Sequence, residues 1–362
     1  MLYGGVALAT LIACIYLCLR RGNAFAPDIT PPLVLRRWAA AFFAFAFLSH
    51  IWWFLFYKYS GDLNSVSCAV VAVIDYLCLL ISIAGTLLAM LQDRKRPVWP
   101  LVVAMLPYMV LLTMNVVFPD RYFLYIAVAY LMGVFLFFFI YMLFAVRQYG
   151  RWLRDNYADL EHKEVWVSHV LIIFILILFI FDGFGSLNII ISYFVQAVGL
   201  ALFSFLLWRV ETLPQLEGIS ADHACSPSAL ESSGESEFSS EAQQAPNIPS
   251  NIEQLLDEFC VGTQLYLQHD LTLHQLAQAI GTNRCYLGQY FSSHGTTYNA
   301  YINDLRINHF MNLYREATAA QQSITAQQLA SDSGYRSYST FSLAFKQRMG
   351  ESVTAWMRKN AM

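Results

Sequence analysis

Long apolar runs dominate the first 210 positions of the chain. After position 250 they give way to apolar residues recurring every three to four positions. A membrane-crossing helix needs roughly 20 mostly apolar residues. Seven runs approach that length: about 2–19, 37–57, 66–91, 98–118, 121–146, 165–181 and 186–208. The sixth is the shortest of the internal runs, but its Val170–Ile180 stretch is almost pure hydrocarbon. The pattern predicts an all-α chain, with a seven-helix transmembrane bundle followed by a soluble all-helical domain. The domains expected are 1–210 (transmembrane), 211–250 (linker) and 251–362 (soluble).

Composition agrees with this division. Of all residues 57% are hydrophobic and only 13% charged, and the mean hydropathy is +0.46. Soluble domains are nearer 45–50% apolar and 25% charged. The first run has no base ahead of it and Arg20-Arg21 behind it. A secretory leader carries its positive charge in front, so residues 2–19 are expected to stay as a span.

Loop charge predicts direction, because Lys and Arg accumulate on the cytoplasmic side. One set of loops carries Arg20, Arg21, Arg36, Arg37, Arg94, Lys95, Arg96, Arg147, Arg151, Arg154, Lys163 and Arg209. The alternate set carries only Lys58 and Arg121. The N-terminus is therefore expected outside and everything after Arg209 in the cytosol. The outer loops are too short for an extracellular binding domain, so a signal would enter through the bundle, the lipid or a partner protein.

Polar residues inside spans are costly and functional by default. Asp75, Asn115 and His169 are the candidate membrane signal site. Asp75 either binds a ligand, ion or proton, or bonds another helix. His50 and Asp182 lie nearer the span ends. Residues 186–208 contain no lysine, which excludes a retinal Schiff base, and the spans contain neither GxSxG nor HExxH. No catalytic residue, metal site or cofactor is expected. The seven cysteines form no CxxC pair, so they read as small apolar side chains with inert thiols.

Residues 211–250 hold seven acids, no Lys or Arg, and Pro214, Pro227, Pro246 and Pro249. Such a segment buries too little apolar surface to fold. As a flexible chain of about 40 residues it would span roughly 35 Å.

Beyond it the helical period begins. Thr272 is placed to cap a helix whose inner face is Leu273, Leu276, Ala277 and Ile280. Gly281 permits a left-handed turn. Asn283 is placed to cap a second helix that turns Tyr286, Leu287, Tyr290 and Phe291 inward. About fifty residues on, the arrangement returns: Leu329-Ala330 answers Leu276-Ala277, Gly334 answers Gly281, and Phe341 and Phe345 answer Leu287 and Phe291. Tyr298, Tyr301, Ile302, Leu305, Ile307, Met311 and Tyr314 suggest a long connecting helix. Two short helices around a glycine turn form the unit that enters a major groove.

At these residues the chain resembles the AraC/XylS family of bacterial transcription activators. The resemblance lies in Tyr301-Ile-Asn-Asp-Leu-Arg-Ile307, in Leu329-Ala-x3-Gly-Tyr335 followed by Ser339-Thr-Phe341, and in Phe345-Lys-Gln-Arg-Met-Gly-Glu-Ser-Val-Thr-Ala-Trp356. It covers about 100 residues and does not reach residues 1–250. It implies two helix-turn-helix units that read adjacent major grooves of double-stranded DNA. The DNA-binding residues expected are Asn283, Arg284, Cys285 and Gln289 in the first unit, and Arg336, Ser337, Tyr338, Ser339, Lys346 and Arg348 in the second. Arg284 and Gln289 suit guanine and adenine edges, while Lys346 and Arg348 suit phosphates. Arg306 is expected to pair with an acid inside the domain. Residues 251–319 carry three bases and six acids, and residues 320–362 five bases and two acids. Phosphate attraction should therefore be modest and come mainly from the second unit, which favours a homodimer.

The function this implies is a one-component regulator in a bacterial inner membrane. Its partners would be DNA, the bilayer, RNA polymerase and a small-molecule or membrane-protein signal. The alternatives are a membrane DNA anchor without sensing and a transporter carrying a regulatory domain.

Overall fold

The structure is a computed structural model describing residues 2–19, 23–27, 29–59, 66–118, 122–160, 163–170, 173, 189–216, 251–322 and 325–360. Among these residues every regular element is helical, and the one isolated bridge joins Tyr157 to Thr272. The chain forms two compact units. One comprises residues 1–149 and 162–221, the other residues 150–161 and 222–362.

The first unit holds α1 (Leu2–Leu19), α2 (Leu33–Tyr59), α3 (Val66–Met90), α4 (Trp99–Val117), most of α5 (Tyr122–Asn156) and α6 (Ile189–Thr212). Four helical stretches are long and apolar enough to cross a membrane: Leu2–Leu19, Leu33–Tyr59, Tyr122–Asn156 and Tyr193–Thr212. Ile74–Met90 and Trp99–Asn115 are apolar but shorter. Against the seven spans expected, the described residues hold four helices of full crossing length and two shorter apolar ones. The sixth expected span, 165–181, lies largely outside them.

Packing within this unit follows residue size. Gly85 of α3 leaves room for Trp38, and a Cβ there would stand 2.3 Å from the indole. Phe42 and Phe43 of α2 meet Phe203 of α6 edge-on. Leu80, Met105, Tyr108, Leu112, Ala127 and Leu131 form a cluster where α3, α4 and α5 meet. Large apolar side chains also face outward, among them Leu8, Phe54, Phe137, Phe144 and Phe194. In water such a surface would be a liability; in lipid it is ordinary.

One end of the bundle is laced by polar bonds. Arg36 Nε lies 3.5 Å from Glu211 Oε1, and Tyr16 donates to the same carboxylate at 3.4 Å. Gln92 donates to Pro214 O at 3.0 Å and accepts from Leu216 N at 2.9 Å. Arg94 donates to Gln148 at 2.8 Å. Arg209 donates to Ser168 at 3.1 Å and to Glu164 O.

Two expected boundaries move. The fifth helix does not stop near 146 but continues to Asn156. Arg147, Arg151 and Arg154 looked like loop charge, yet they alternate with the buried Tyr149 and Leu153 at helical spacing. The linker does not begin at 211, because α6 runs to Thr212 and Glu211, Leu213 and Leu216 are buried. Glu211 has a cation to face, so burial costs it less than it would cost a lone acid. Residues 217–250, the rest of the expected linker, lie outside the described residues.

The second unit contains α7 (Ile252–Leu255), continuing as a π-helical stretch Leu256–Gly262, and a 3₁₀ turn Leu265–Leu267. Then follow α8 (Leu273–Ala279), α9 (Arg284–Ser293), α10 (Tyr298–Ala319), α11 (Ala326–Asp332), α12 (Tyr338–Met349) and α13 (Val353–Asn360). It has two cores. Ile252, Leu256, Leu273, Leu276, Ala277, Ile280, Leu287, Phe291 and Ile302 belong to the first. Phe310, Leu329, Ala330, Tyr335, Phe341, Phe345, Val353 and Trp356 belong to the second. The N-terminal half of α10 feeds the first core and its C-terminal half the second, as expected of a connecting helix.

Candidate nucleic-acid interface

Each of the two helix-turn-helix units is built by caps and one glycine. Thr272 and Gln275 form a reciprocal capping box at α8, with bonds of 3.2 and 2.9 Å. Asn283 caps α9 by accepting from Cys285 N at 2.9 Å. In the second unit Thr325 accepts from Gln328 N at 3.2 Å, and Ser337 from Thr340 N at 3.3 Å. Gly281 and Gly334 take φ of 70° and 85°, the left-handed region open to glycine. The spacing from glycine to second cap is one residue longer in the second unit. The extra residue lets Tyr335 turn inward, where it is 3% exposed and bonds Asn303 at 3.0 Å.

The expected DNA-binding residues divide by environment. Gln289, Arg336, Tyr338, Ser339, Lys346 and Arg348 are exposed. Lys346 makes no ion pair among the described residues. Arg348 Nε sits 2.7 Å from Asp304. Arg336 lies 3.5 Å from Asp270 with both side chains more than half exposed, a contact worth little in water. Asn283 is exposed at the helix start but spends its oxygen on the cap, and Ser337 does the same while bonding the hydroxyls of Ser339 and Thr340 at 2.9 and 3.0 Å.

Two expectations need correction, and one residue is placed unexpectedly. Arg284 is half-buried and its Nε donates to Asn156 Oδ1 at 2.9 Å. That burial draws its guanidinium below the usual arginine range, against the opposing effect of Tyr157. Cys285 is disulfide-bonded rather than an inert thiol. Arg306 bonds carbonyls more than acids. It donates to Tyr266 O at 2.7 Å, Gln268 O at 2.6 Å and His269 O at 3.3 Å, and lies 5.5 Å over the Tyr335 ring. It thereby ties the loop before the first unit to the turn of the second. Asp159 and Asp270 act on it through charge.

Two of the residues expected to form a membrane site, Asp75 and His169, lie apart. Asp75 is buried on α3 and accepts from three side chains of α2: Ser49 at 3.0 Å, Trp52 at 3.1 Å and Trp53 at 2.8 Å. His169 is buried between Val165 O at 2.8 Å and Leu87 O at 3.2 Å. Asp75 and Leu87 are twelve positions apart on one helix, roughly 18 Å along its axis. Asn115 is half-buried on α4. His50 meets Ala46 O at 2.7 Å and Gln196 at 3.5 Å. No group of three or more metal-ligating side chains occurs among the described residues.

Residues 276–359 match a family model described as a helix-turn-helix domain. The match supports a C-terminal helix-turn-helix domain of the AraC type. It likewise supports DNA binding of the kind a transcription regulator performs. The match opens inside α8 and closes inside α13, so it takes in α9, α10, α11 and α12 whole. No curated protein and no solved structure matches the chain.

Sequence reasoning missed Asn156, Tyr157, Ala158 and Asn299, which join the first helix-turn-helix to the end of α5 and the residues that follow it. The available signal was the helical period persisting through Tyr149 and Leu153.

Proposed function

We propose that the chain is a membrane-embedded one-component transcription regulator. On this reading the apolar helices cross the inner membrane with the N-terminus outside. The helix-turn-helix domain works in the cytosol, and a stimulus reaching the bundle changes DNA occupancy.

The observation that carries the proposal is one chain joining a helix-turn-helix match at 276–359 to four helices of membrane-crossing length and hydropathy. Loop charge supports the direction. The segments around Arg36, Arg94, Lys163 and Arg209, separated in sequence by spans, are tied into one polar network at one end of the bundle. That is where alternate loops of a multi-pass protein belong. The apolar side chains facing outward from the first unit support lipid around them.

Genome-wide mapping of bound DNA tests the proposal, comparing the full chain with a version starting at residue 251. The expected result is that both occupy DNA, with different occupancy and different transcription of neighbouring genes. Identical maps and identical transcription would reduce the membrane half to an anchor.

A further inference from the structure

Residues 150–160 belong to the same compact unit as the DNA-binding domain. They are the end of α5 and the segment that leaves it, and they are bonded tightly. Ala158 N donates to Leu271 O at 3.2 Å. Asn299 of α10 donates to the carbonyls of Tyr157 at 3.2 Å and Ala158 at 2.6 Å. Tyr157 bridges to Thr272, the cap of α8. The Ala158 methyl enters the first core. Asn156, 4% exposed, accepts from Arg284.

The position of Arg284 gives this contact its meaning. It is the first residue of α9, and residues at the start of a recognition helix are those that reach base edges. An arginine reads guanine by aiming its fork at O6 and N7. Arg284 instead lies half-buried, bonded to an amide of its own chain. In the second unit Arg336 and Arg348 face acids but stay more than half exposed, and Lys346 makes no ion pair among the described residues.

We propose that residues 156–160 are an intramolecular strap that keeps the first recognition helix from DNA, with α5 setting it. This rests on the DNA-binding reading above. Asn156 is the last residue of α5, a helix that begins at Tyr122. Adding or removing one residue of helix shifts the segment beyond it by about 1.5 Å and 100°. A hydrogen bond fails well within such a change, so a small movement of α5 frees or holds Arg284. The coupling is reciprocal: DNA that takes Arg284 must loosen the strap by the same factor.

The test uses the full chain in lipid nanodiscs and a labelled duplex enriched from a random-sequence library by the wild-type protein. Asn299→Ala removes both bonds from α10 to the strap without touching a recognition helix. It is expected to tighten binding about tenfold. Asn156→Asp gives Arg284 a charged acceptor, which strengthens the hold, and is expected to weaken binding. Both effects should vanish on an Arg284→Ala background. Unchanged affinity in both single variants overturns the strap, as does a gain from Asn299→Ala that survives Arg284→Ala. Should Asn299→Ala disturb folding, the Asn156→Asp arm still decides. If the wild type and every variant enrich no duplex, the DNA-binding reading falls as well.

Discussion

The two helix-turn-helix units share a plan and differ in how they are held. Each has a threonine cap, a glycine turn, and a second helix packed by an aliphatic or aromatic pair. The first core closes with help from outside the repeat, through Ala158, and its leading arginine is engaged by Asn156. The second closes on its own C-terminal helix through Trp356 and leaves Lys346 in solvent. The charge balance runs the same way, with the acidic excess around the first unit and the basic excess around the second. A duplicated fold thus does not imply duplicated use. On the proposed reading the second unit supplies phosphate attraction and the first supplies a contact that can be withheld.

The largest effect should come from breaking what joins the units. Arg306→Ala removes a buried guanidinium that bonds three carbonyls and stacks on Tyr335. Leaving those partners bare should cost at least about 3 kcal/mol. Hydrogen exchange should show protection falling in both cores together, and loss confined to one core would contradict a shared tie.

The glycine turns sharpen the comparison. At Gly281 nothing lies within 4 Å of the position a Cβ would take, whereas at Gly334 a Cβ would stand 2.7 Å from Leu267 O. Gly281→Ala should cost only the left-handed penalty, about 1–2 kcal/mol. Gly334→Ala should cost clearly more, because backbone must also move. Equal losses in thermal midpoint would mean that the two turns are interchangeable.

The smallest effect concerns charge. Lys346→Ala should weaken binding to all duplexes alike and reduce the salt slope by about one. Arg348→Ala should do less, since its guanidinium is already paired with Asp304. Titration of binding against salt checks both.

Much of the C-terminal domain was legible in the sequence because its signals are local. The inner faces of α8 and α9, the caps Thr272 and Asn283, and the repeat around Gly334 all follow from periodicity and turn chemistry. Arg306 was misread because its partners are backbone carbonyls in and just after a 3₁₀ turn, which no side-chain pattern announces. Asn156 and Asn299 were missed because amide contacts across more than a hundred residues leave no period. The reach of α5 was hidden by its arginines, which read as loop charge until Tyr149 and Leu153 are seen buried beneath them. Glu211 looked like one tether acid among seven, and only the fold brings Arg36 to it.

The most direct measurement uses sealed membrane vesicles from cells making the full chain, sorted by orientation and offered a labelled duplex enriched by the same protein. Inside-out vesicles should capture the duplex, and right-side-out vesicles should capture it only after permeabilisation. Equal capture by intact vesicles of both orientations, or capture confined to the soluble fraction, would contradict a helix-turn-helix domain held at the cytosolic face of the membrane.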